Sequence, residues 1–166
     1  MVSEQLLEHL MDEYGDAILR MCYIYLKDYQ LAEDATQETF IKAMKFHDSF
    51  EHRSSEKTWL SKIAINSCKN IMRTRWFKSH PVALEDVKEH PNTDEINDLL
   101  EKDSVSGAIS RLPSADKEVI LLYYYQELSV KQIAEILGKR ENTILQRLHR
   151  ARKRLKHILM EAGYGE

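Results

Sequence analysis

The sequence predicts an all-α protein built from two small helical domains joined by an acidic linker. Three observations carry this reading. Apolar residues recur at i, i+3, i+4 spacing through most of the chain, while strand-type alternation is nearly absent. Glycine (5) and proline (3) are scarce among 166 residues, so little interrupts long helices. Charge is segregated, with one strongly basic stretch and one strongly acidic stretch inside a chain of net charge −3. A hydrophobic content of 43% with 31% charged residues suits a folded chain rather than a disordered one.

The first domain is expected over residues 1–80. Leu6, Leu7, Leu10, Met11, Tyr14, Ile18, Leu19, Cys22 and Tyr25 mark a first long helix, which a turn at Asp28 ends. A second helix over residues 31–46 should turn Leu31, Ala35, Phe40, Ile41 and Met44 inward and hold Glu33, Asp34, Gln37 and Glu38 outward. The polar stretch 47–56 reads as a loop. Ser54 or Ser55 can then cap a third helix carrying Trp59, Leu60, Ile63, Ala64, Ile71 and Met72, which extends towards Trp76 and Phe77. Between Lys57 and Lys78 this helix holds six bases (Lys57, Lys62, Lys69, Arg73, Arg75 and Lys78) and no acid. Bases interleaved with Trp59, Trp76 and Phe77, beside the amides of Asn66 and Asn70, suit contact with nucleic acid. Phosphates take the charge, while rings and amides meet unstacked bases. A solvated basic face around a buried Trp59 fits the composition equally well.

Residues 81–103 are the acidic counterweight. Eight acids oppose Lys88 and Lys102, a local charge of −6, and Pro81 and Pro91 fall in the same stretch. Like charge and proline indicate an extended linker that turns helical from about residue 95.

The second domain is expected over residues 104–166. Ile109 and Leu112 close one helix, and Pro113 with Ser114 opens another that runs through three tyrosines, Tyr123 to Tyr125. Core packing with partial exposure explains those rings better than a cofactor box does. Ser129 is a good N-cap for a short helix with Ile133, Ala134 and Leu137 inward. Gly138 supplies a turn, and a second helix from about Arg140 keeps Ile144, Leu148, Ala151 and Leu155 inward. Between Leu128 and Lys156 stand nine bases against Glu135 and Glu141, a local charge of +7. Arg140, Asn142, Thr143, Gln146, Arg147, His149 and Arg150 are left on the outer face. Amides and arginines there can pair with base edges in a major groove, and later bases can hold phosphates. A basic amphipathic helix can also meet a membrane or a protein, but the preceding helix and glycine turn favour DNA.

Other function classes fit poorly. No phosphate-cradling glycine loop, metal-ligand spacing or nucleophile–base arrangement occurs, so no enzyme, metal, cofactor or small-molecule substrate is expected. Cys22 and Cys68 read as reduced core thiols. Residues 1–16 carry acids where a signal peptide needs bases, and no run approaches the roughly 18 apolar residues of a membrane span, so a cytoplasmic protein is expected. An autonomous DNA-binding regulator with a sensing or dimerising N-terminal domain is the competing reading. It gives no reason for a basic, acid-free third helix.

Three segments in order carry a family resemblance: AEDATQETFIKA from Ala32, TWLSKIAINSCKNIMR from Thr58, and RLPSADKEVILLYYYQELSVKQIAEILGKRENTILQRLHRARKRLK from Arg111. The chain resembles the extracytoplasmic-function (ECF, group 4) sigma factors of bacterial RNA polymerase. The first two segments are similar to the polymerase-binding and promoter-melting helices of sigma region 2, and the third is similar to region 4. The resemblance implies promoter DNA and core RNA polymerase as partners, through the clamp helices of the beta-prime subunit and the beta flap. It places Asp34, Gln37 and Glu38 against the clamp helices. Asn66, Asn70 and Arg73 face the −10 element, joined by Lys57, Lys62, Lys69 and Arg75. The 47–56 loop receives a flipped-out base. Arg140, Asn142, Thr143, Gln146, Arg147, His149 and Arg150 read the −35 element. It further implies control by an anti-sigma factor in a stress or envelope response, which can hold the protein at the membrane. The connector is expected to run through the polymerase's basic active-site and RNA-exit channels. The chain departs from the family pattern at Asn70, where many relatives have Asp, at Leu145, a position commonly basic, and in the KREN start of the last helix.

Overall fold

A computed structural model describes residues 4–50, 54–79 and 104–163, and among them every regular element is a helix. The acidic linker expected over residues 81–103, the middle of the 47–56 loop and the side chains of Trp76 and Phe77 lie outside the described residues.

Helix α1 spans Glu4–Leu26 and α2 spans Tyr29–Phe46. The reversal between them is two residues long. Lys27 takes the left-handed conformation (φ 58°), and the Asp28 carboxylate accepts a hydrogen bond from the Leu31 N–H at 3.0 Å, capping α2. A short 3₁₀ turn, His47–Ser49, follows, and α3 runs Glu56–Ser79. Of the two candidate caps, Ser55 serves: its Oγ accepts from the Thr58 N–H at 3.1 Å. These helices share a core of Ile18, Met21, Cys22, Tyr25, Phe40, Leu60, Ala64, Ile65 and Cys68.

The second unit begins with α4 (Val105–Ser110), capped by Ser104, and α5 (Ser114–Ile120), which continues into a π-helical turn, Leu121–Tyr125. Helices α6 (Val130–Leu137) and α7 (Glu141–Glu161) complete it. Ser129 and Gln132 form a reciprocal capping box at the start of α6, and Gly138 adopts φ 63°, the left-handed conformation that lets α7 leave in a new direction. Ile133, Ile136, Ile144, Leu148 and Ala151 close on Val119 to Leu122.

Periodicity placed most of the core correctly and misplaced part of α2. Its inner stripe is Ala32, Ala35, Thr39, Phe40 and Ala43. Small side chains there let α1 and α3 approach closely, and the larger Ile41 and Met44 are turned out, 53% and 44% exposed. Met11 of α1 is likewise exposed rather than inward.

The two units pack against each other along a polar seam around a continuous core. Lys117 of α5, itself buried, donates from Nζ to the Tyr25 carbonyl at 2.8 Å and lies 4.9 Å from the centre of the Tyr25 ring. Gln126 donates to the Ala17 carbonyl at 3.2 Å, and Gln132 to the Thr58 hydroxyl at 3.2 Å. Burial, with Lys27 nearby, lowers the Lys117 pKa to about 8. A lysine whose folded pKa lies below its unfolded value penalises the fold while it stays charged. That penalty is relieved as pH rises from about 8 towards 10.5, because the folded state then releases its proton first. The unfolding free energy of the wild type, minus that of Lys117→Met, should therefore rise across this window by up to about 1.4 kcal/mol per pH unit. Denaturant titrations at pH values of about 7, 8.5 and 9.5 read this; a difference that stays flat would show that the ammonium is hydrated.

Candidate nucleic-acid interface

On α7 the buried Ile144, Leu148 and Ala151 fix which face is left for a ligand. Arg140, Asn142, Gln146, His149 and Arg150 are exposed, and Thr143 and Arg147 are half-buried. The arginines have partners. Arg147 comes within 3.7 Å of Glu118, while Arg154 donates to Asp116 at 2.6 Å and Arg150 lies 3.7 Å from the same carboxylate. Asp116 is fully buried and the Glu118 side chain is 6% exposed, so α5 supplies two buried acids beneath the basic helix. On the opposite flank the Arg152 guanidinium donates to the Tyr124 hydroxyl at 2.6 Å and lies about 5.5 Å from the Tyr123 ring centre.

Neither Asp116 nor Glu118 stands out as a functional residue in the sequence. One signal was available. Asp116 and Ile120 stand at i, i+4, so a carboxylate shares the face of a core isoleucine and must be paired inside.

On α3, Lys62, Asn66, Lys69, Asn70 and Arg73 fall at i, i+4, i+7, i+8 and i+11 and form one stripe opposite the buried Ala64, Ile65 and Cys68. Lys57 and Arg75 lie off it by helical phase, Lys57 half-buried and Arg75 exposed. The stripe meets the second unit where Lys69 Nζ lies 2.9 Å from Glu118 Oε2. That oxygen has no well-aimed hydrogen bond, so the contact is one of charge. Beside the N-terminus of α3, Phe50 stacks on Trp59 (centroids 4.8 Å apart, planes 27°), and the His47 ring meets Trp59 edge-on at 5.9 Å. An aromatic wall therefore stands where the 47–56 loop joins α3.

On α2, Asp34 and Gln37 are exposed and Glu38 is half-buried, paired with Lys42 at 2.8 Å. The misplaced Ile41 lies between them by helical phase, so the polar face has an apolar centre. An apolar patch rimmed by polar groups is the anatomy of a protein-docking surface. Among the described residues, no group of three or more His, Cys, Asp or Glu could hold a metal ion, and no helix is long and apolar enough to cross a membrane.

Two helical units, a basic stripe on one and a helix-turn-helix with a basic second helix on the other, define a DNA-binding protein of transcription. Comparison with known proteins identifies which kind. The Sigma-70 region 2 family model matches residues 10–78 and the Sigma-70, region 4 model matches residues 102–155. The ECF RNA polymerase sigma factor SigW of Bacillus subtilis is 30% identical over 164 residues, covering 92% of this chain and 88% of SigW. SigM of Mycobacterium tuberculosis is 33% identical over 153 residues, covering 92% of this chain and 76% of SigM. Among solved structures, the sigma factor RpoE of Bartonella quintana, crystallised with the anti-sigma factor NepR, superposes with a TM-score of 0.71 at 30% identity, over 92% of this chain and 98% of that one. CnrH, solved with the cytosolic domain of CnrY, shares the fold with a TM-score of 0.70 at 18% identity, over 96% of this chain and 90% of that one. The chain belongs to the ECF sigma factors of the sigma-70 family.

The buried acids give this site a stability test. Removing one partner of a buried ion pair costs about 3–5 kcal/mol, and the half-exposed Arg150 and Arg154 reduce that. Asp116→Ala should lower the unfolding free energy by about 2–3 kcal/mol, measured by denaturant titration. A loss below about 0.5 kcal/mol, the level of an ordinary surface change, would mean that Asp116 does not anchor α7.

Proposed function

We propose that this protein directs bacterial RNA polymerase to a specific set of promoters and performs no chemistry of its own. Residues 1–80 act as region 2, docking on core polymerase through Asp34, Gln37, Glu38 and the apolar centre at Ile41. The stripe Lys62, Asn66, Lys69, Asn70 and Arg73 recognises and melts the −10 element, with Lys57 and Arg75 beyond its two ends. The wall of His47, Phe50 and Trp59 supplies stacking for a base that leaves the duplex. Residues 104–166 act as region 4, with α7 reading the −35 element, and residues 81–103 join the two. An anti-sigma factor, like the one bound by the Bartonella relative, is the partner that holds the protein inactive until a stress or envelope signal arrives.

The observation that carries this reading is the tie between the basic stripe of α3 and the second unit, Lys69 to Glu118. Elements at −10 and −35 are about 25 base pairs apart, about 85 Å along B-DNA at 3.4 Å per base pair. A compact chain of this length spans only about 40 Å. The packed arrangement therefore cannot hold both elements, and the units must separate on polymerase. Free protein should bind duplex promoter weakly, whereas an autonomous regulator would bind unaided.

Transcription in vitro with core polymerase and genomic templates tests the central claim: new start sites should appear on adding the protein. Their absence would overturn it. Gel shifts should show the protein alone binding those promoters at least tenfold more weakly than holoenzyme; equal affinities would favour the autonomous regulator. Ile41→Lys should leave stability within about 0.5 kcal/mol of wild type, because the side chain is exposed. It should weaken core-polymerase binding at least tenfold in a pull-down titration, and unchanged binding would remove α2 from the docking surface.

A further inference from the structure

Among the described residues, the exposed large apolar side chains of α7 are Leu145 and Met160, and only Leu145 lies in the N-terminal half of the helix. It is 51% exposed and takes no part in the hydrophobic core, to which α7 contributes Ile144, Leu148 and Ala151. Its neighbours on the helix surface, Asn142 at i−3 and His149 at i+4, are exposed, as is the adjacent Gln146. Arg147, by contrast, is only 22% exposed and held near Glu118. Among the exposed side chains of the first turns, Glu141, Asn142, Gln146, His149 and Arg150 can exchange hydrogen bonds with base edges, and Leu145 can exchange none.

The major groove supplies one apolar group for such a side chain, the C5 methyl of thymine. We propose that Leu145 is a specificity-determining residue that packs on the methyl group of a thymine within the −35 element. The proposal rests on the reading of α7 as the −35 helix. The contact covers an aliphatic surface that otherwise stays in water, and it selects for the methyl group itself. The hydrogen-bonding edge of that thymine is left to Asn142, Gln146 or His149.

Uracil separates methyl readout from every other kind, because it pairs as thymine does and lacks the methyl group. The experiment uses holoenzyme made with the full-length chain and a promoter mapped by the transcription assay. Its −35 segment is randomised and synthesised either with thymine or with uracil in its place, and bound DNA is sequenced. Wild type should enrich thymine at one position about fourfold over uracil, the factor for one buried methyl-sized group. Leu145→Ala should treat the two libraries alike. Leu145 is exposed, so this variant should fold, and a circular dichroism melt within a few degrees of wild type is the check. Methyl dependence retained in Leu145→Ala, or absent in wild type that still enriches other bases, would overturn the proposal. Enrichment of no sequence from either library would overturn the −35 reading of α7, and this proposal with it.

Discussion

Two carboxylates on one turn of α5 organise much of the second unit and its contact with the first. Burying a charge costs several kcal/mol unless a partner of opposite sign is brought to it. Asp116 and Glu118 are both buried, and the cations that answer them come from α7 and, at Lys69, from α3. Satisfying α5 therefore sets the rotation of α7 about its own axis and draws the first unit to the second. Apolar packing alone specifies a face to within a residue or so. A buried acid is more exacting, because a helix rotated away from it leaves the acid unpaired. The gain is in specificity of arrangement, since an apolar replacement of equal volume can be as stable.

The polar contacts between the units are of a kind that can be given up. Lys117, Gln126 and Gln132 each make a hydrogen bond across the seam, and Lys69 makes a charge contact. Water can replace every one of these when the units part. Glu118 keeps Arg147 as a neighbour within its own unit, so loss of Lys69 does not strand an unpaired buried acid. The partial desolvation of the Lys117 ammonium, visible in its lowered pKa, is a cost that separation relieves. Opening thus breaks polar contacts that have substitutes, and it also uncovers the part of the continuous core that the two units share.

How much of this was legible in the sequence depended on whether the signal was local. The helix-turn-helix was legible except at Ile136, buried where Leu137 was expected, because its determinants lie within a few residues of one another: the Ser129 cap, the left-handed Gly138, and apolar side chains at Ile133, Ile144 and Leu148. The outer face of α2 was legible at Asp34, Gln37 and Glu38, where side-chain polarity alone decides. Ile41 and Met44 were misplaced because periodicity weights large apolar side chains, whereas α2 meets its neighbours through alanines and a threonine. A helix packed by small residues hides its true inner face from such a count. Asp116 and Glu118 were overlooked for the opposite reason. Their partners lie about 30 to 50 positions away, and charge in sequence looks solvated until the fold brings its complement.

Those acids also change what the charge of the basic segment means. Counted along the chain, residues 128–156 carry +7. Counted in space, Asp116 and Glu118 lie against the same helix and lower the local excess to +5. Affinity for a phosphate backbone grows with the number of phosphates neutralised, since each contact releases a counterion. A helix whose arginines are partly answered from within keeps less charge for non-specific binding. Its exposed amides, imidazole and leucine stay free for the bases. Selectivity depends on the gap between specific and non-specific affinity, so internal pairing of arginines widens that gap by lowering its floor. The weak grip on DNA that this implies for the isolated chain becomes useful once polymerase supplies the remaining affinity.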